Sequence, residues 1–411
     1  MSGCGEPAVI ERVAAADERG LWTLMILSLL MAFASISTDI YLPAMPTMGA
    51  ALHARPGTVE LTISGYLIGF SLGQLFWGPL SDRIGRRLPI ALGMVLFIVG
   101  AAGCAFSNSV EVMVAWRAVQ AIGACAGVTL ARAIVRDLYS GARAAQMMST
   151  LMIVTAIAPL LGPSVGGLVL QVASWRTIFE VLVVVGLVTL GLLATLPETL
   201  PASQRVREPL ARVFGTYAML LRQPRLLGYL GVGGFLYGGI FAYVAGTPFA
   251  YITYHHVAAR HYGILFALGS IGIMAMNFFN VRLVGRLGSD RLMRIGAVGA
   301  GVMGLWVALA AWTDWGGLAG LVVPLFLYIS CTGLIAANAI TGALNLFPEV
   351  AGSVSALIGA TQFGTGILGS AFVGSFADGT PRPLGSCMAL FGVTCTLSAV
   401  LLVRPGAGRN A

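Results

Sequence analysis

The chain has 411 residues, of which 57% are hydrophobic and 10% charged, with a mean hydropathy of +0.88. Soluble domains carry about 25% charged residues, so this composition excludes an ordinary water-soluble fold and reads as a polytopic membrane protein. All 24 basic residues are Arg, and the absence of Lys excludes enzymes built on a Schiff-base or P-loop lysine.

Segment 1–20 carries charges of both signs and is expected to be cytoplasmic. It leads into an apolar run from Leu21 to Met48 that is too long, and lacks the small-residue site, for a cleaved signal peptide. Within that run lies Asp39. A carboxylate inside a span costs about 2.5 to 3.5 kcal/mol or more, which makes it a functional candidate. The plainer alternative is an acid that snorkels at the helix end. Pro43, four residues on, has no N–H for the Asp39 carbonyl, so a bend is expected at the acid. Exposed backbone at such a bend must face protein or a water-filled cavity rather than lipid.

Further apolar runs of about 20 residues fall at Thr58 to Leu80, Leu88 to Phe106, Val110 to Val135, Ala145 to Val172 and Trp175 to Leu196. After a polar stretch, six more follow at Leu226 to Tyr251, Tyr262 to Val284, Leu292 to Trp312, Gly317 to Leu346, Gly352 to Phe376 and Pro383 to Val403. The predicted fold is an all-α membrane protein with twelve transmembrane helices in two six-helix bundles, 21–196 and 226–403. A linker, 197–225, joins them, and 404–411 forms a tail. With both termini inside, inner loops and ends hold eighteen Arg and outer loops only Arg55, Arg176, Arg260 and Arg382. That bias fits the positive-inside rule and explains the net charge of +8 without a nucleic-acid partner.

Ser81-Asp82-Arg83 after the second run and Ser289-Asp290-Arg291 after the eighth occupy matching positions on the same predicted side. Six spans apart is an even number, so the halves read as parallel repeats around a central cavity. In the fourth run Arg117 and Gln120 share a helix face at i, i+3. Arg117 lies too deep to snorkel and needs an internal acceptor. Asp39 is the natural electrostatic partner, and a structural Arg bonded only to carbonyls is the alternative. Tyr66, Gln74, Gln120, Tyr243, Asn338 and Gln362 are polar groups in apolar runs and candidate substrate contacts, with Tyr237 and Asn277 as weaker ones. Most such groups simply bridge helices. The six cysteines read as buried hydrophobes and not as a metal site. His255, His256 and His261 read as solvated loop residues.

Gly78-Pro79-Leu80-Ser81-Asp82-Arg83-Ile84-Gly85-Arg86-Arg87 resembles the loop signature of the major facilitator superfamily. The resemblance implies a cytoplasmic latch built by Asp82, Arg83, Arg86 and Arg87, with Asp82 contacting the second half. It also implies a proton-linked role for Arg117. Ala158-Pro159-Leu160-Leu161-Gly162-Pro163-Ser164-Val165-Gly166-Gly167 is similar to the antiporter signature of its exporters, which implies gating roles for Gly162, Pro163, Gly166 and Gly167. Thr38 to Pro46, Gly73 to Pro79 and Ala131 to Tyr139 resemble the bicyclomycin-resistance (Bcr/CflA) type of drug/proton antiporter. Some relatives carry another acid earlier in the first span, where this chain has Met31 and Ser35.

The resemblance implies a proton-coupled antiporter of a bacterial inner membrane that exports small drug-like compounds by alternating access, with Asp39 and Arg117 as the coupling pair. Export of an endogenous metabolite, or proton-coupled uptake, is the alternative. No cofactor beyond the proton gradient, no metal and no obligate protein partner is expected. The partners are a small-molecule substrate, protons and lipid. An intramembrane hydrolase needs a nucleophile with a base, and no run contains a His. A receptor without a transport cycle sits poorly with duplicated halves.

Overall fold

The computed structural model describes residues 6–55, 57–139, 141–205 and 210–403, and all regular structure among them is helical. The expected tail 404–411, Cys4 and Arg207 of the linker lie outside the described residues. Twelve long helical stretches carry the fold. They are α1 (Gly20–Ala51), α2 (Leu61–Ile84), α3 (Arg87–Ala105), α4 (Val110–Leu138), α5 (Gln146–Val172) and α6 (Trp175–Leu193), then α7 (Pro224–Tyr254), α8 (Ala259–Leu287), α9 (Ser289–Thr313), α10 (Gly317–Leu346), α11 (Pro348–Ser375) and α12 (Arg382–Leu402). Eleven are long and apolar enough to cross a membrane. The exception, α2, is diluted by Ser64, Tyr66, Ser71 and Gln74. Its 24 residues still reach about 36 Å, more than the roughly 30 Å of hydrocarbon. A short helix, Leu210–Leu220, lies within the linker.

Leu72, Val99, Leu168, Leu187, Val281 and Leu309 are exposed on the outside of the bundle. Large apolar side chains point outward when the surrounding solvent is lipid, and the chain is a multi-pass membrane protein. The start of α1 meets the end of α6 where Trp22 Nε1 donates to Thr195 Oγ1 at 2.7 Å. Arg294 at the start of α9 donates to the carbonyl of Val403 at the end of α12. These ends define one face, called the terminal face below, and the opposite side is the far face.

Helices are drawn together by small residues, as expected where lipid offers no hydrophobic drive for association. On α2, Gly65, Gly69 and Gly73 form a stripe against Val114, Ala118 and Cys125 of α4, so close that a Cβ at Gly69 would strike the Ala118 carbonyl. Helices α1 to α6 pack chiefly among themselves, as do α7 to α12. The two groups meet along α2–α11 and α5–α8. On the first seam Ser64 and Ser370 hydroxyls pair at 2.8 Å, and Ser71 Oγ donates to the Ala360 carbonyl at 3.3 Å. Gly57 and Gly374 are in backbone contact at the far-face end of this seam. Toward the terminal face Gly78 and Gly352 have open space at their α-carbons. The seam is therefore shut at the far face and loose at the terminal face.

Candidate functional site

Between the two groups lies a cavity of about 380 Å³ whose wall draws on α1, α2, α4, α5, α7, α8, α10 and α11. Aromatic rings supply much of that wall. Phe70 of α2 and Phe363 of α11 face each other across the groups with centroids 4.4 Å apart, and Phe241 and Tyr237 of α7 flank Phe363 at 5.9 and 6.3 Å. Such a surface suits a flat apolar body, and a few polar groups then fix its orientation.

Asp39 lines this cavity at the point where α1 breaks. The α-helical part ends at Asp39, Ile40 and Tyr41 form a turn, Leu42–Ala44 makes one tight turn, and helix resumes at Met45. This is the bend that Pro43 predicts. The carboxylate has no hydrogen-bond partner among the described residues, while its neighbours are occupied. Ser37 Oγ donates to the Phe33 carbonyl at 2.5 Å and pairs with Tyr66 Oη at 2.7 Å; Thr38 Oγ1 donates to the Ala34 carbonyl at 2.7 Å.

Arg117 is fully buried behind the break. Its Nη1 donates to the Ser37 carbonyl at 2.9 Å and to Gln120 Oε1 at 2.6 Å, and its guanidinium carbon lies 4.4 Å from the ring centres of both Tyr41 and Tyr66. Two rings around one guanidinium compensate part of its lost hydration. Nε and Nη2 have no partner, and neither does Gln120 Nε2. No direct ion pair joins Arg117 to Asp39. Its bonds run instead to a backbone carbonyl and a side-chain amide oxygen. Gln120, expected at the substrate, instead anchors this Arg because the i, i+3 spacing turns it along the helix rather than into the cavity.

The antiporter-like stretch of α5 packs on the same break. A Cβ added at Gly162 would lie 3.1 Å from Asp39 Cβ, and one at Gly166 would strike the Ile40 carbonyl and come within 3.3 Å of Pro43. Gly167 faces the start of α8, with Ala259 O at 2.9 Å from its Cβ position. One stripe of small residues thus touches both the acid and the second group of helices.

On the terminal face the loop signature builds a charge cluster. Arg86 donates from Nη1 to Asp82 Oδ1 at 2.5 Å and to Ser81 Oγ at 2.7 Å, and from Nε to Asp137 Oδ2 at 2.8 Å. Glu198 accepts from the backbone N–H of Arg86 and Arg87 at 2.8 and 3.1 Å, closing the N-terminus of α3. Burial pushes its carboxyl up, but bonds from four backbone N–H groups outweigh that and hold it below the ordinary Glu range. Arg87 Nη2 reaches the Ala194 carbonyl at 2.8 Å. The expectation that Asp82 contacts the second half is not met in this conformation: Asp82 pairs with Arg86 of its own half and is 47% exposed. Asp290, the repeat partner, accepts from Tyr229 Oη at 2.7 Å.

Of the remaining substrate candidates, Tyr66, Gln74 and Tyr243 line the cavity, as do Tyr237 and Asn277. Two others do not. Asn338 is buried, donating to Asn280 Oδ1 at 2.6 Å and accepting from Ser289 Oγ at 3.0 Å. Gln362 faces a separate small pocket with Tyr229 and Gly233. Sequence reading missed Arg132, which lines the cavity; it lies inside the fourth run, four residues before Arg136, and stands out only as part of the Ala131 to Tyr139 match. It also missed Glu60, 3% exposed at the α2–α11 seam with an unpartnered Oε2.

Residues 27–370 match the Major Facilitator Superfamily model. The chain is 31% identical over 373 residues to a bicyclomycin resistance protein homolog of Haemophilus influenzae, covering 90% of this chain and 93% of that one. It is 30% identical over 388 residues to multidrug resistance protein D of Escherichia coli K12, covering 92% and 96%. Its fold matches the crystal structure of a D-xylose-proton symporter with a TM-score of 0.74 at 15% identity, over 93% of this chain and 98% of that one. The family model, the whole-chain relatives and the twelve-helix architecture agree: this chain is a transporter, not an enzyme, and belongs to the major facilitator superfamily.

Proposed function

We propose that the protein exports small, drug-like amphipathic compounds across a bacterial inner membrane in exchange for protons. The bundles 21–196 and 226–403 rock about the cavity, with 197–225 as the tether and both termini cytoplasmic. The relatives named for bicyclomycin and multidrug resistance support the substrate class, and the arginine bias supports the orientation. The observation that carries the coupling is Asp39, a carboxylate without a partner at a helix break, facing the cavity and packed by Gly162 and Gly166.

In this reading the terminal face is open and cargo enters from the cytoplasm. Arg117 is a fixed charge, clamped by Tyr41, Tyr66, Ser37 and Gln120. A proton on Asp39 removes the charge that balances it and so changes the relative energy of the two access states. A difference of about 1.4 kcal/mol changes their ratio tenfold. The Gly162 to Gly167 stripe passes that change to α8. Asp82, Arg83, Arg86 and Arg87 close the terminal face when the bundles swing together.

Everted vesicles containing the protein test the proposal. A proton gradient drives accumulation of a drug to which the expressing cells are resistant, and an uncoupler abolishes it. Accumulation that survives the uncoupler and depends on ATP overturns the proposal.

A further inference from the structure

The cavity wall also specifies the chemistry of the cargo, an inference that rests on the export reading. Two lining residues are charged, Asp39 and Arg132. Among the described residues Arg132 makes neither a hydrogen bond nor an ion pair. Arg132 is exposed to the cavity, so its guanidinium is free to take an acceptor on a ligand. Tyr237 of α7 supplies a hydroxyl, and Gln74 and Asn277 supply amides, to the same cavity. Asp39 and Tyr243 supply the polar groups at the other end.

The two charges are far apart along the bundle. Gly127 of α4 is level with Leu30 of α1, whose carbonyl lies 2.8 Å from the Cβ position of Gly127. Arg132 is five residues beyond Gly127 toward the terminal face, and Asp39 nine beyond Leu30 toward the far face. At about 1.5 Å per residue the two backbones are roughly 21 Å apart. Side chains of about 6 Å for Arg and 2.5 Å for Asp leave a gap of at least about 12 Å. Phe70, Phe363 and Phe241 fill the space between.

We propose that the cargo is an elongated aromatic zwitterion: a carboxylate at Arg132, an aromatic body laid against the phenylalanines, and an ammonium group at Asp39. An ammonium on the Asp39 carboxylate competes with a proton for the same oxygens, which is the mutual exclusion that exchange requires. A cargo with only an anionic end leaves Asp39 free and does not compete with its proton.

Three probes of one ring system separate the ends: 4′-(aminomethyl)biphenyl-4-carboxylic acid, its methyl ester, and its N-acetyl derivative. Their binding is measured by calorimetry on purified protein in nanodiscs, without a gradient. Wild type binds the zwitterion most tightly. Arg132→Gln weakens the zwitterion and the N-acetyl acid at least tenfold and leaves the ester unchanged, and Arg132→Lys restores most of that loss. Asp39→Asn weakens the zwitterion and the ester but not the N-acetyl acid. Equal effects of Arg132→Gln on all three probes, or no effect on any, in a monodisperse variant overturn the proposal. If that happens while wild type still exports a neutral drug under a proton gradient, the cargo chemistry fails and the export reading stands.

Discussion

Replacing Gly166 with Ala adds one methyl group where the structure has no room. That methyl would strike the Ile40 carbonyl and lie 2.8 Å from the Ile40 carbonyl carbon and 3.3 Å from Pro43 Cγ. All three are backbone or ring atoms of the α1 break, so no side chain can rotate away. Overpacking of this kind costs about 1 to 3 kcal/mol. Both helices belong to the first bundle, so the cost falls on every conformation in which the α1 break packs on α5 as it does here. If the α1 break shifts against α5 in the other access state, Gly166→Ala moves the population away from the shut far face by about 5-fold to 150-fold. Gly162→Ala is the control, because its methyl meets Asp39 Cβ at 3.1 Å and Ile40 N at 3.4 Å, a contact that a few tenths of an ångström relieves. Spin-label distances between the exposed ends Phe106 and Trp315 read the far-face population, and vesicle efflux reads turnover. The reasoning is refuted if Gly166→Ala and Gly162→Ala give the same distance distribution as wild type.

Asp82→Asn slows turnover and leaves cargo binding intact, while Arg86→Ala has the larger effect on folding, because it strands Asp137 as well as Asp82. Losing one partner of a mostly buried pair costs about 3 to 5 kcal/mol, read as a loss of thermal stability in detergent. Glu198 is held below its ordinary value, so its contribution is present above the unfolded value of about 4.3 and is lost as pH falls through the lower folded value. Glu198→Gln removes that acid-side dependence from the unfolding midpoint, and an unchanged profile contradicts the assignment. Glu60→Gln removes the charge of a carboxylate whose Oε2 has no partner in the shut seam. It therefore stabilises the shut far face, seen as lower accessibility of a cysteine placed at Ser64.

The helices were legible because lipid imposes a single rule: every backbone group must be satisfied within its own segment, and runs of about 20 apolar residues follow. The break at Asp39 was legible for an equally local reason, the missing N–H of Pro43. The partners of the site were not, because they depend on which way a helix is turned. Gln120 and Arg117 share a face, but that face looks at α1 rather than into the cavity. Asn338 and Gln362 are as polar as Gln74 in sequence, and only packing separates cavity from pocket. Asp137 sits in the Ala131 to Tyr139 match and Glu198 in the linker, yet their joint hold on Arg86 needs three segments brought together. Arg132 lies within the fourth run and the Ala131 to Tyr139 match, and only packing shows that it lines the cavity.

Proton release on cargo binding tests the coupling claim at Asp39 most directly. Purified wild-type protein in weakly buffered detergent releases protons when cargo is added, and Asp39→Asn, which fixes the residue in a neutral form, releases none and fails to move cargo against a gradient. Arg117→Ala impairs the same step, and the double variant is no worse than the worse single one if the two act as a unit. Full proton-driven efflux by Asp39→Asn at wild-type expression contradicts the account.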